Sequence, residues 1–92
     1  MKQFVVIAYD IADDKRRQKI AKILSNCGVR CNFSVFECVM TESQIKKTQM
    51  KIEKIIDQRT DCVLYYYLCK SCVAKRGGEG KQVGLRSEIV WI

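Results

Sequence analysis

The chain has 92 residues, 48% apolar and 29% charged, the composition of one folded domain rather than a disordered segment or a membrane protein. Lys and Arg number 17 against 10 Asp and Glu, and the resulting +7 favours polyanionic partners such as nucleic acid. No histidine is present, which excludes Ser/His/Asp triads, Cys/His nucleophile pairs and ribonucleases with His as acid and base within one chain. A bound metal ion is the natural substitute if the protein cleaves anything. A domain of this size buries only about two-thirds of the surface that its unfolded chain exposes, so a walled-off site calls for a second subunit.

The apolar run from Phe4 to Ala8 is too short for a signal-peptide core, and no stretch approaches the roughly 20 apolar residues of a membrane span. A cytosolic protein is expected, with its six cysteines reduced or ligating metal rather than forming a disulfide framework.

From Gln3 to Asp10 the β-branched and aromatic residues are nearly continuous, as in a strand buried on both faces. Asp13 or Asp14 can cap the helix that follows, where Ile20, Ile23, Leu24 and Cys27 recur at helical spacing and Gly28 supplies a left-handed stop. Val29, Cys31, Phe33 and Val35 then alternate with polar residues, as in a strand with one buried face. Val35 and Phe36 break that phase, so the segment through Met40 is either a second strand after a tight turn or one strand bent at a bulge. Thr41 with Gln44 forms a capping box for a second helix, with Ile45, Ile52, Ile55 and Ile56 on its inner face, running to about Asp57.

Cys62 to Cys69 is a further strand, and the glycines at 77, 78 and 80 argue against regular structure in the stretch after it. Gln82 to Ile92 closes the chain as an extended piece. The order predicts an α+β, ferredoxin-like βαββαβ sandwich over residues 1–92 with an additional C-terminal strand.

Asp10 ends an otherwise apolar strand at the point where α/β proteins place ligands. One carboxylate is a weak site, but magnesium keeps most of its waters, so two copies of Asp10 across a two-fold axis would suffice. Helix capping by Asp10, Asp13 or Asp14 is the competing reading. Lys15, Arg16, Arg17, Lys19, Lys22 and Arg30 form a basic block with no acidic residue between Lys15 and Phe36. Arg16 or Arg17 at the border of the buried helix face could clamp a phosphate bidentately; a solvated helix face is the alternative. Asn32 and Ser34 offer polar donors on the next strand, or satisfy a turn.

Tyr65 and Tyr67 share one strand face and Tyr66 takes the other, which suits either core packing or base stacking. Cys69-Lys70-Ser71-Cys72 is open to three readings: half of a zinc site, a redox dithiol, or plain reduced thiols, the last being favoured. The dithiol would need a helix starting at Cys69, for which the nearby glycines leave little length.

Tyr9, Asp10, Ile11, Arg16, Arg17, Gly28, Arg30, Ser34, Phe36 and Glu37 together resemble the motif set of the small CRISPR-associated family Cas two, over most of the chain and fading after Gly77. The resemblance implies a homodimer in which residues 78–92 are exchanged with the partner. It also implies Mg2+ (or Mn2+) held by Asp10 of both subunits, and partnership with the CRISPR integrase, Cas one, in spacer acquisition. Members are described as metal-dependent endonucleases on single-stranded RNA or double-stranded DNA, and also as non-catalytic DNA scaffolds. For the catalytic reading the residues are Asp10, Arg16, Arg17, Arg30 and Ser34; for nucleic-acid binding they are Lys15, Arg16, Arg17, Lys19, Lys22 and Arg30. A toxin-type ribonuclease of the related virulence-associated family is a further alternative. Zinc at Cys69 and Cys72 is not favoured.

Overall fold

The structure is a computed structural model that describes residues 1–80. Its elements run β1 (Lys2–Asp10), α1 (Asp14–Ser25), β2 (Gly28–Asn32), β3 (Val35–Thr41), α2 (Glu42–Ile55), β4 (Cys62–Leu68) and α3 (Lys70–Ala74). The strands form one antiparallel sheet in the order β2-β3-β1-β4, with β1 paired to β3 on one side and to β4 on the other. This is the expected ferredoxin-like plan. The expected C-terminal strand and its exchange between subunits lie outside the described residues.

Alternation along β1 divides the core in two. Val5, Ile7 and Tyr9 join Ile11, Ile20, Leu24, Phe36, Cys38, Met40, Ile45 and Ile52 in the main core beneath α1 and α2. Phe4 packs on the opposite face against Val73 of α3, with Val6, Val39 and Leu68 beside it. The cap of α1 is Asp13, whose carboxylate accepts from the Arg16 amide at 2.9 Å, and the Thr41–Gln44 capping box of α2 is formed in both directions.

Several local expectations are corrected. Asn26, not Gly28, caps the C-terminus of α1, and Gly28 is already the first residue of β2. A Cβ at Gly28 would lie 2.1 Å from the Glu37 carbonyl oxygen and 2.8 Å from Cys38 Cα, so glycine is needed there for close strand approach rather than for a left-handed turn. The segment from Val29 to Met40 contains both devices the broken phase allowed. Two strands meet at a turn over Phe33 and Ser34, and the register shifts between Arg30 and Asn32. Phe33, expected on a buried strand face, is therefore at the hairpin tip and 88% exposed. α2 ends at Ile55 rather than Asp57, and the stretch after β4 holds the one-turn helix α3 where irregular structure was expected. Burial of Val73 against Phe4 gives that short helix the tertiary support that its length cannot supply.

Candidate nucleic-acid and metal site

Asp10 is exposed at the C-terminal end of β1. By alternation it shares the face of Phe4, Val6 and Ala8, away from α1 and α2. Next to it, a cleft of about 390 Å³ is lined by Tyr9, Asp10, Ile11, Arg17, Gln18, Ala21, Arg30, Phe33 and Ser34. Residues from β1, α1, β2 and the hairpin turn thus converge on one end of the sheet.

The position of each cationic side chain follows from its partner. Arg17 donates from Nη1 to the Ile11 carbonyl at 2.9 Å and pairs through Nη2 with Asp14, which holds it across the β1–α1 loop. Arg30 donates to the Tyr9 hydroxyl at 3.3 Å, and its guanidinium lies 5.3 Å from the centroid of the Phe36 ring. The Tyr9 hydroxyl in turn donates to the Phe33 carbonyl at 3.2 Å, and the Tyr9 amide donates to the Ser34 carbonyl at 3.0 Å. Tyr9 also stacks on Phe36, centroids 6.3 Å apart. Arg30, Tyr9 and the hairpin turn are consequently one unit.

Arg16 takes a different direction. Its Nε donates to Asp61 Oδ2 at 2.9 Å and its Nη2 to Oδ1 at 3.3 Å, which ties α1 to the loop before β4. Asp61 also accepts from the amides of Asp57 at 2.9 Å and Ala12 at 3.0 Å. Arg16 first, then these amides, hold the Asp61 carboxyl well below the usual carboxylate range. The structure therefore separates Arg16 from the cleft residues with which the sequence grouped it, and gives it a structural partner that lies 45 positions away in sequence. Lys15, Lys19 and Lys22 are exposed on α1.

The face carrying Asp10 exposes apolar side chains. Leu64 is 47% and Tyr66 53% exposed on β4, where Asp10 pairs with Cys62. At the far end, Arg76 binds Glu37 at 2.6 Å and lies 4.6 Å from the centroid of the Phe4 ring, anchoring the chain that follows β4. Sequence reading did not find this pair or Asp61, because the partners are distant in sequence and no spacing links them. Tyr65 is half-buried towards α2, and burial pushes its hydroxyl up to about 12.

For metal, the described residues contain no group of three or more Cys, Asp or Glu side chains that could hold an ion. Asp10 alone suits magnesium only as one of the one or two carboxylates that such an ion takes with its waters, which fits a site completed by a second copy. All six cysteines are free thiols.

A family model described as CRISPR associated protein Cas2 matches residues 1–76. The chain belongs to this family. A Cas2 relative from Rhodospirillum rubrum, named a CRISPR-associated endoribonuclease, is 38% identical over 95% of this chain and 70% of its own length. A Synechocystis Cas2 relative with the same designation is 43% identical over 68% of each chain. Among solved structures, Streptococcus pyogenes Cas2 superposes with a TM-score of 0.77 at 29% identity, covering 84% of this chain and 99% of that one. A hypothetical protein from Thermus thermophilus gives 0.76 at 30% identity, over 94% and 98%. The Cas2 motif residues recognised in the sequence are those that line the cleft or support it, apart from Arg16 in its ion pair, Gly28 at the close strand contact and Glu37 in its own pair with Arg76.

Proposed function

We propose that this Cas2 family chain is a nucleic-acid-binding homodimer of CRISPR spacer acquisition with a magnesium-dependent endonuclease site on single-stranded RNA or double-stranded DNA. The observation that carries this reading is the exposed Asp10 carboxylate on an apolar sheet face beside a cleft lined by Arg17, Arg30 and Ser34. An exposed face bearing Leu64 and Tyr66 is suited to burial against a second copy, and such burial brings two Asp10 side chains to one boundary. The relatives' designation as endoribonucleases supports the reaction class.

When bound between the two Asp10 carboxylates, Mg2+ (or Mn2+) would supply Lewis-acid polarisation of a phosphodiester. The protein's own groups do the rest. Arg17 and Arg30 are fixed by internal bonds that leave further N–H donors on each guanidinium, so they can bind a phosphate without reorganising and stabilise the charge that develops on it. Ser34, at the cleft wall, supplies a hydroxyl donor. Lys15, Lys19 and Lys22 extend the contact along the backbone of the nucleic acid by phosphate attraction and counterion release.

A second reading, the same dimer as a non-catalytic DNA scaffold beside the CRISPR integrase, is favoured by one observation: the described residues gather no carboxylate besides Asp10 at the cleft. Cleavage of RNA and duplex DNA by the verified dimer, with and without magnesium, compared with Asp10→Asn separates the two. The endonuclease reading expects magnesium-dependent products that fall at least about a hundredfold in the variant, the scale of losing a transition-state contact. Equal cleavage by both proteins overturns it, and no cleavage by either with DNA binding intact selects the scaffold.

A further inference from the structure

The CxxC sequence lies outside the cleft and has no part in the proposed phosphodiester chemistry. Cys69 is the N-cap of α3 and Cys72 lies three positions on, in the first turn of the same short helix. Both thiols are exposed. Cys69 Sγ lies 3.2 Å from the Ser71 hydroxyl, and α3 is held in place downstream of the pair, where Val73 is buried against Phe4 and Arg76 bonds Glu37. The segment that would have to accommodate a bond between the two sulfurs is thus one short turn with a fixed far end.

We propose that Cys69 and Cys72 form a redox-active dithiol that exchanges with low-molecular-weight disulfides of the glutathione class. Cys69 is the attacking sulfur. Its thiolate attacks one sulfur of the oxidised disulfide, forming a mixed disulfide and releasing one thiolate. Cys72, once deprotonated, attacks Cys69 Sγ, closing the intramolecular bond and releasing the second thiolate. The protein loses two electrons and two protons, and one disulfide becomes two thiols. The Ser71 hydroxyl, followed by the amide and thiol of Cys72, holds the Cys69 thiol down to about 7, while the thiol of Cys72 is raised by its neighbour Cys69. That asymmetry assigns attack to the first cysteine and resolution to the second.

The test equilibrates the full-length protein anaerobically in graded mixtures of reduced and oxidised glutathione, followed by acid quenching, alkylation and peptide mass spectrometry. The expected result is one reversible two-electron transition confined to Cys69 and Cys72, with Cys62, also exposed, left largely unmodified. Cys72→Ser should trap a glutathione adduct on Cys69, whereas Cys69→Ser should not accumulate one on Cys72. Wild-type protein gives an independent reading if either variant misfolds: at pH 7, iodoacetamide should alkylate Cys69 about fivefold to tenfold faster than a cysteine in an unstructured peptide, whose thiol titrates near 8.5. Labelling of Cys69 no faster than that peptide, adducts spread evenly over the exposed cysteines, or tightly bound zinc that protects both thiols from oxidised glutathione would each overturn the proposal.

Discussion

Along β1, the side chains of Val5, Ile7 and Tyr9 are sealed beneath two helices, whereas Val6, Ala8 and Asp10 on the other face are half-buried or exposed. The first face is closed by α1 and α2; among the described residues the second is covered by α3 only around Phe4. One strand therefore contributes a finished core with one set of residues and an unfinished surface with the next. The contrast locates function: a carboxylate at the end of an apolar, incompletely covered face serves the closed domain little, and its neighbours Arg17 and Arg30 are braced from the closed side. Tyr9 connects the two, since its ring is in the core and its hydroxyl positions both Arg30 and the hairpin turn.

Substitutions that act on one face and leave the other alone test this division. The largest effect on folding is expected from Ile7→Ala, at a fully buried site in the main core, which should lower unfolding stability by about 2–5 kcal/mol in denaturant titration. Leu64→Glu on the open face should leave the melting temperature of the protomer nearly unchanged while shifting the protein from dimer to monomer in analytical ultracentrifugation, because a charge would have to be buried at the boundary. A dimer unaffected by this change would remove the open face from the account.

Asp61→Asn probes the tie between α1 and the loop before β4. The folded Asp61 carboxyl is depressed, so its ionised form favours folding. That contribution is complete above the unfolded carboxylate range, near about pH 4, and is lost as pH falls through the depressed folded value. Melting temperatures followed downward from neutral pH should therefore show a lower starting point and a shallower acid decline in the variant than in the wild type. The smallest effect is expected for Lys19→Ala: duplex DNA affinity should fall slightly, with the slope of log affinity against log salt reduced by about one. An unchanged slope would place the phosphate contacts elsewhere.

Much of this arrangement was legible in the sequence. Strand propensity, the Thr41–Gln44 capping box and the helical spacing of Ile20 and Leu24 report local preferences that the tertiary structure keeps. Asp10 was recognisable because an acidic residue terminates an apolar strand. What was not legible has two kinds of cause, a turn that reverses the chain locally and contacts supplied by distant chain. Phe33 was placed inside by alternation, but the hairpin turn reverses the chain just where it stands. Arg16 was grouped with Arg17 by adjacency, and its ion pair with Asp61 was not legible because no spacing links the two residues. The glycines argued against a helix after Cys69, and Phe4, 69 residues towards the N-terminus from Val73, provides the surface on which α3 rests.

In the proposed dimer, two open faces meet so that their Asp10 carboxylates hold one divalent cation between them. Titration of the metal-free dimer with Mg2+ by calorimetry, with Asp10→Asn in parallel, tests it most directly. One ion for every two chains is expected in the wild type, with loss of that binding in the variant. One ion per chain, or binding undiminished by the substitution, would contradict it.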